Sequence, residues 1–337
     1  MTSPTPPSPT AGARYVISSL QTASHSSPAV AWPNGHRFAF TVFDDTDEGT
    51  LDNVPHVYAF LHNLGFATTK SVWPLGGQRR PDIVGGETCA HAGYAAWVQA
   101  LQKQQFEIAL HNATFHSSIR EETERGFARF VELFGQYPRS MANHTTCREG
   151  IYWGPHRVSG TQRIAYNVLT RFRHRGRFRG HDPDDPHFWG DICQEHVDYV
   201  RNFTFADVDT LAACPFMPYF DPDRPWVKAW FAGSEGADCR SYVRTLDERA
   251  QERLEAAGGA CIMYTHFGKG FCEHGALDRR FVELMERLAR RPGWFVPVSQ
   301  MLDHIAQARG GIHILRHAER TRLERRWLRH KIVAGST

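Results

Sequence analysis

The chain has 337 residues, 41% hydrophobic and 22% charged, the balance of a folded core-forming protein rather than a disordered or fibrous one. A formal net charge of +3 gives no electrostatic case for nucleic acid as a partner, and the absence of any apolar run of about 18 residues argues against a membrane span. The 7 cysteines are odd in number and include no C-x-x-C pair, so neither a disulfide framework nor a zinc ribbon is expected, and free thiols are the simpler reading.

Residues 1–27, rich in Pro, Ser and Thr, read as a flexible lead. They lack the basic start and apolar run of a signal peptide, which points to a cytoplasmic protein. Ordered structure is expected from near Trp32, within a domain spanning 28–310. Short apolar runs alternate there with helix-period segments, the pattern of an α/β fold with a mostly parallel sheet. Arg37 to Phe43 is the first strand. Val54, Val57, Tyr58, Leu61 and Leu64 mark a helix that Gly65 stops. A strand near Ala67 to Leu75, a helix near Cys89 to Lys103 and a strand from Phe106 to Leu110 follow. Ser118 with Glu121 suggests a capping box for a helix that ends at Gly135. A strand near Arg139 to Asn143 comes next.

Gly150 to Arg240 reads as long loops holding a helix near Asp191 to Val200 and a strand from Arg201 to Phe205. A helix from Tyr242 to Ala257, a strand from Ala260 to Thr265, a helix from Leu277 to Arg290 and a strand WFVPV complete the domain. Ser299 is expected to cap its closing helix. Residues 311–337 form a basic terminal helix in which Leu315, Leu323, Trp327 and Leu328 share a face. A packed or solvated helix is the plainer reading; a homo-oligomer contact or an anionic surface partner is the sharper one.

Chemistry-bearing residues gather at the C-terminal ends of candidate strands, the edge where α/β folds place their sites. Asp44 and Asp45 end the first strand, and paired carboxylates there are costly to bury without a partner such as a cation. His111 and His116 follow the strand FEIAL as candidate neutral ligands. Their spacing puts them on opposite sides of a strand, so ligation of one ion by both requires an irregular loop. Asn143 and His144 follow the strand RSMAN, and His266 follows ACIMYT, well placed as a proton donor. An acidic turn, a surface histidine pair and a core histidine are the structural alternatives for these motifs.

Together, Thr41-Val42-Phe43-Asp44-Asp45-Thr46, His111 with His116, Tyr264-Thr265-His266 and the closing segment Trp294 to Ser299 resemble the polysaccharide deacetylases of the NodB-homology group, carbohydrate esterase family 4. The likeness runs from about Trp32 to Gly310. It departs from the family at three places. The histidine motif is one residue longer, Ala142-Asn143-His144 stands where an Arg-Pro-Pro-Tyr-Gly loop is usual, and no D-x-x-D-W string occurs. The missing arginine is the one that orients the family's catalytic aspartate.

The resemblance implies a deformed (β/α) barrel of about seven strands. It implies Zn²⁺ or another divalent ion on Asp45, His111 and His116; if His116→Ala leaves metal affinity unchanged, Asp47 or His144 is the next candidate for the third ligand. It further implies Asp44 as base, His266 as acid and removal of an acetyl group from an N-acetylated sugar. Trp73, Trp153, Trp189 and Trp226 are candidates to stack on sugar, at least half of them expected in the core. An inactive carbohydrate-binding protein and a hydrolase of a non-sugar amide are the alternatives.

Overall fold

Strand β1, Phe38–Asp44, is buried along its whole length and carries no alternation of apolar and polar residues, the pattern of a strand covered on both faces. In the computed structural model, which describes residues 30–334, it is one of seven parallel strands that close into a barrel. The others are β2 Thr69–Val72, β3 Glu107–Leu110, β4 Ser140–Met141, β5 Tyr199–Phe205, β6 Ala229–Glu235 and β7 Ala260–Thr265. Each pairs with the next in parallel, and β7 returns to β1 in a register that sets Ala260 beside Ala39 and Thr265 beside Asp44. The expected deformed (β/α) barrel of about seven strands is the observed fold. The expected lead of residues 1–27 lies outside the described residues.

Helices fill the crossovers: α1 Val54–Asn63, α2 Ala92–Lys103, α3 Arg120–Phe134, then α4 Gly160–Leu169 and α5 Gly190–His196 within the long connection to β5. The short α6 Thr210–Ala213 precedes β6, and α7 Cys239–Thr245 with α8 Glu248–Ala257 lead to β7. After the barrel come α9 Arg279–Ala289, α10 Val298–Ala308 and α11 His317–Ala334. No helix among the described residues is long and apolar enough to cross a membrane.

Three local expectations differ from the structure. The Ser118–Glu121 capping box does not form, because α3 starts after Ile119 while the Ser118 amide donates to Glu149 Oε2 at 3.0 Å. Ser299 lies inside α10, where its amide donates to Glu107 Oε2 at 3.0 Å. The single helix expected from Tyr242 to Ala257 is two helices, since the Asp247 side chain accepts from the Ala250 amide and starts α8 afresh.

The apolar stripe of α11 is buried within the chain: Leu323, Trp327 and Leu328 are covered, and the Trp327 ring lies 5.7 Å from Tyr166 at 17°. Glu324, also buried, accepts from Ser159 Oγ at 3.0 Å and Arg224 Nη2 at 3.2 Å. The terminal segment thus packs on the barrel that precedes it. All seven cysteines are buried and free.

Candidate metal centre at the barrel mouth

The parallel strands end together, and the residues just past them meet. Asp45 follows β1, His111 follows β3, His144 follows β4 by a short loop and His266 follows β7. The Asp45 amide donates to Thr265 O at 2.8 Å, so the β1 and β7 ends stay in step. Past them the two loops touch at Gly268, where a Cβ would stand 2.4 Å from the carbonyl carbon of Glu48. Glycine is the residue that permits this approach.

Asp47 is the centre of the group. Its Oδ1 lies 3.3 Å from His111 Nε2 and 3.6 Å from His144 Nε2; its Oδ2 lies 3.2 Å from His266 Nε2 and 3.7 Å from Lys269 Nζ. Burial pushes its carboxyl up, but the His111 and His266 imidazoles outweigh that and hold it well below the usual carboxylate range. Burial pushes His144 down to about 4, so its ring is neutral at neutral pH. The His111 Nδ1 lies 2.9 Å from Ala142 O, a carbonyl that only accepts, so Nδ1 carries a hydrogen and Nε2 is the atom turned to Asp47.

Asp47, His111 and His144 each place a ligand atom within 4.8 Å of the other two. Asp47 Oδ1 and His144 Nε2 are buried without any hydrogen-bond partner. Converging lone pairs with no proton between them are costly in a dry interior and suit a cation. One carboxylate and two imidazoles are also a donor set that divalent transition metals accept. The trio is therefore able to hold a metal ion.

This is not the trio Asp45, His111 and His116 expected from the sequence. His116 stands outside: its Nε2 accepts from the Gln78 amide at 3.0 Å, and its Nδ1 lies 3.1 Å from Ser117 O. The chain turns away after His111 because Asn112 takes a left-handed φ of 62° and Phe115 packs against Trp73, 5.5 Å between centroids. The second imidazole comes from the next strand instead. Asn112 Oδ1 accepts from the His144 amide at 2.8 Å, and Glu149 fixes Asn112 in turn by accepting from its Nδ2 at 2.9 Å. His144 was visible in the sequence as one of the strand-end residues; Asn112 and Glu149 carried no signal.

The two aspartates of β1 part company. Asp44, expected as a base, is fully enclosed: Lys70 Nζ lies 3.0 Å away, Tyr58 donates at 2.9 Å and the Phe267 amide at 2.8 Å. It ties β1 to β2 and to the loop after β7. Asp45, expected as a ligand, lines the cavity and is gripped at both oxygens by Arg201, Nη1 to Oδ1 at 2.7 Å and Nη2 to Oδ2 at 2.6 Å. Burial pushes Asp45 up, and Arg201 outweighs it to hold the carboxyl below its ordinary value.

Arg201 reaches this position because the β5–β6 pairing shifts register between Arg201 and Thr204. Such a bulge re-aims side chains near a rim, and Arg201, Asn202 and Thr204 all line the cavity. Arg201, which no sequence motif announced, is the residue that holds Asp45.

His266 Nδ1 lies 2.6 Å from Ala237 O, which leaves Nε2 facing Asp47 and the cavity. Burial disfavours its proton, yet Asp47 outweighs burial and raises its pKa above the usual imidazole value. Of the four tryptophans, Trp153 lines the cavity. Trp73 packs against His111 and His144, Trp189 donates to Glu149 O, and Trp226 packs on Phe188. The cavity measures about 220 Å³.

No protein-family model matches the chain, and no curated protein matches its sequence. Among solved structures it is similar to a Mycobacterium smegmatis protein described as a polysaccharide deacetylase, at 14% identity and TM-score 0.46 over 86% of this chain and 96% of that one. PuuE allantoinase aligns at 12% identity and TM-score 0.46 over 84% and 95%. The catalytic domain of a peptidoglycan N-acetylglucosamine deacetylase from Eubacterium rectale aligns at 10% identity and TM-score 0.37 over 86% and 97%.

Proposed function

We propose that the chain is a metal-dependent hydrolase of an amide C–N bond, with an N-acetylated sugar as substrate. The observation that carries this reading is the convergence of Asp47, His111 and His144, two of whose ligand atoms are buried without partners, beside an arginine-held Asp45 and His266. A divalent cation such as Zn²⁺ bound by that trio would polarise an acyl carbonyl and acidify water. The strand-end motifs of the first, second and last segments support the same class of chemistry.

In this reading the base is Asp45 in place of Asp44, and the carboxylate ligand is Asp47 in place of Asp45. Asp45 is ionised and oriented by Arg201, so it accepts a proton from water as the water oxygen bonds to the acyl carbon. The C–N bond then breaks, and His266 Nε2 gives its proton to the departing nitrogen. Acetate and a free amine result.

The test is purified protein assayed for bound metal by mass spectrometry and for acetate release from N-acetylated sugars. Asp45→Asn is expected to keep its metal and lose about 100-fold or more in turnover, the scale of general-base loss. Wild-type turnover in that variant would remove Asp45 from the chemistry.

A further inference from the structure

The 3-10 turn Gly154–Arg157 delivers a guanidinium into the same cavity. Arg157 is 3% exposed, with its guanidinium carbon 3.3 Å from the Trp153 ring centroid and 5.0 Å from that of Trp327. Burying a guanidinium is expensive unless a carboxylate answers it. The other buried arginines that face carboxylates follow this rule: Arg201 grips Asp45, Arg224 holds Asp221 and Glu324, and Arg320 holds Asp221.

Arg157 has no such partner among the described residues. Its one side-chain hydrogen bond is Nη1 to Asn202 O at 3.4 Å, and its Nε is buried with none. Burial brings its pKa down to about 10, which leaves it charged at neutral pH. Glu235 lies in the same electrostatic neighbourhood, but burial pushes its carboxyl up, and it makes no ion pair with Arg157. The other cations of the cavity are already answered, Arg201 by Asp45 and Lys269 by Asp47.

We propose that Arg157 determines specificity by receiving a carboxylate of the substrate, so that the compound cleaved is an anionic N-acyl sugar and not a neutral one, a proposal that rests on the amide-hydrolase reading of this site. The planar fork of a guanidinium matches the two oxygens of a carboxylate. The Trp153 ring holds that fork flat. A cavity of about 220 Å³ admits a small unit, for which one anionic anchor is a large share of the contacts.

The experiment is calorimetry on the zinc-loaded full chain with two probes that contain no cleavable acyl group. They are N-methylsulfonyl glucosamine and the same compound oxidised to a carboxylate at C6. The uronate is expected to bind at least about tenfold tighter, as one charge-assisted contact provides. Arg157→Met, which keeps a stem between the rings, is expected to bring the two affinities within about twofold at unchanged zinc content.

Equal affinities, binding of neither probe, or a preference that survives in Arg157→Met overturns the proposal. The 6-phosphate of the same sulfonamide is titrated as a third probe, and its binding tighter than the uronate overturns the carboxylate assignment. Should Arg157→Met not fold, the wild-type pair decides. The hydrolase reading is read separately, from amine release by the N-acetyl parents. Uronate preference without release sinks that reading and leaves Arg157 standing; equal release from both parents does the reverse.

Discussion

His116 and His144 differ in what occupies their ring nitrogens. The Gln78 amide already uses the Nε2 lone pair of His116, whereas Nε2 of His144 is buried and unanswered. His144→Ala is accordingly expected to weaken metal binding by at least about 100-fold, above the range for outer contacts. His116→Ala should leave it within a few-fold, and chelator competition measures both. The neighbouring aspartates separate in the same manner. Asp44→Asn removes the partner of a fully buried Lys70 and should cost about 3–5 kcal/mol in denaturant unfolding with metal affinity kept. Asp45→Asn also strands Arg201, so its turnover must be normalised to folded protein. A stable Asp44→Asn would show that Lys70 finds another partner.

Among the elements, the loops after β1 and β7 depend on Gly268. Gly268→Ala must move Glu48 away, since its Cβ would lie 2.4 Å from backbone. A loss of about 1–3 kcal/mol is expected from the overlap, together with weaker zinc binding because Asp47 rides on the displaced loop. Calorimetric zinc titration beside thermal unfolding checks it; wild-type values in both would mean that the loops are not coupled. Six of the barrel strands were legible in the sequence, because their apolar runs end in turn residues. Strand β6 was not. It reads AWFAGSE, where Gly233 sits 3.2 Å in Cβ terms from the Tyr264 side chain and Ser234 bonds to Thr210, so close packing stands in for the usual bulky run. At the site, Asp45, His111 and His266 were legible as strand ends. The pairing of His111 with His144 in place of His116 was not, because it is set by adjacency of β3 and β4 in space.

For the molecule as a whole, the pH dependence of stability is expected to run through Glu149. Burial raises its carboxyl from 4.5 to about 7. A group whose folded value lies above its unfolded one contributes stability that is complete below pH 4.5 and lost as pH rises through 7. The difference corresponds to roughly 3 kcal/mol. Glu149→Gln, whatever its constant cost, is expected to flatten the stability curve between about pH 5 and 8 relative to wild type. Parallel curves for the two proteins would show that Glu149 does not titrate in that window.

One cation is expected to sit between residues drawn from three strand ends. The most direct measurement is an anomalous-scattering map of the zinc-loaded protein. A single peak bonded to Asp47, His111 and His144 is expected, with Asp45 still held by Arg201. A peak bonded to Asp45 and His116, or no peak at the barrel mouth, contradicts that assignment.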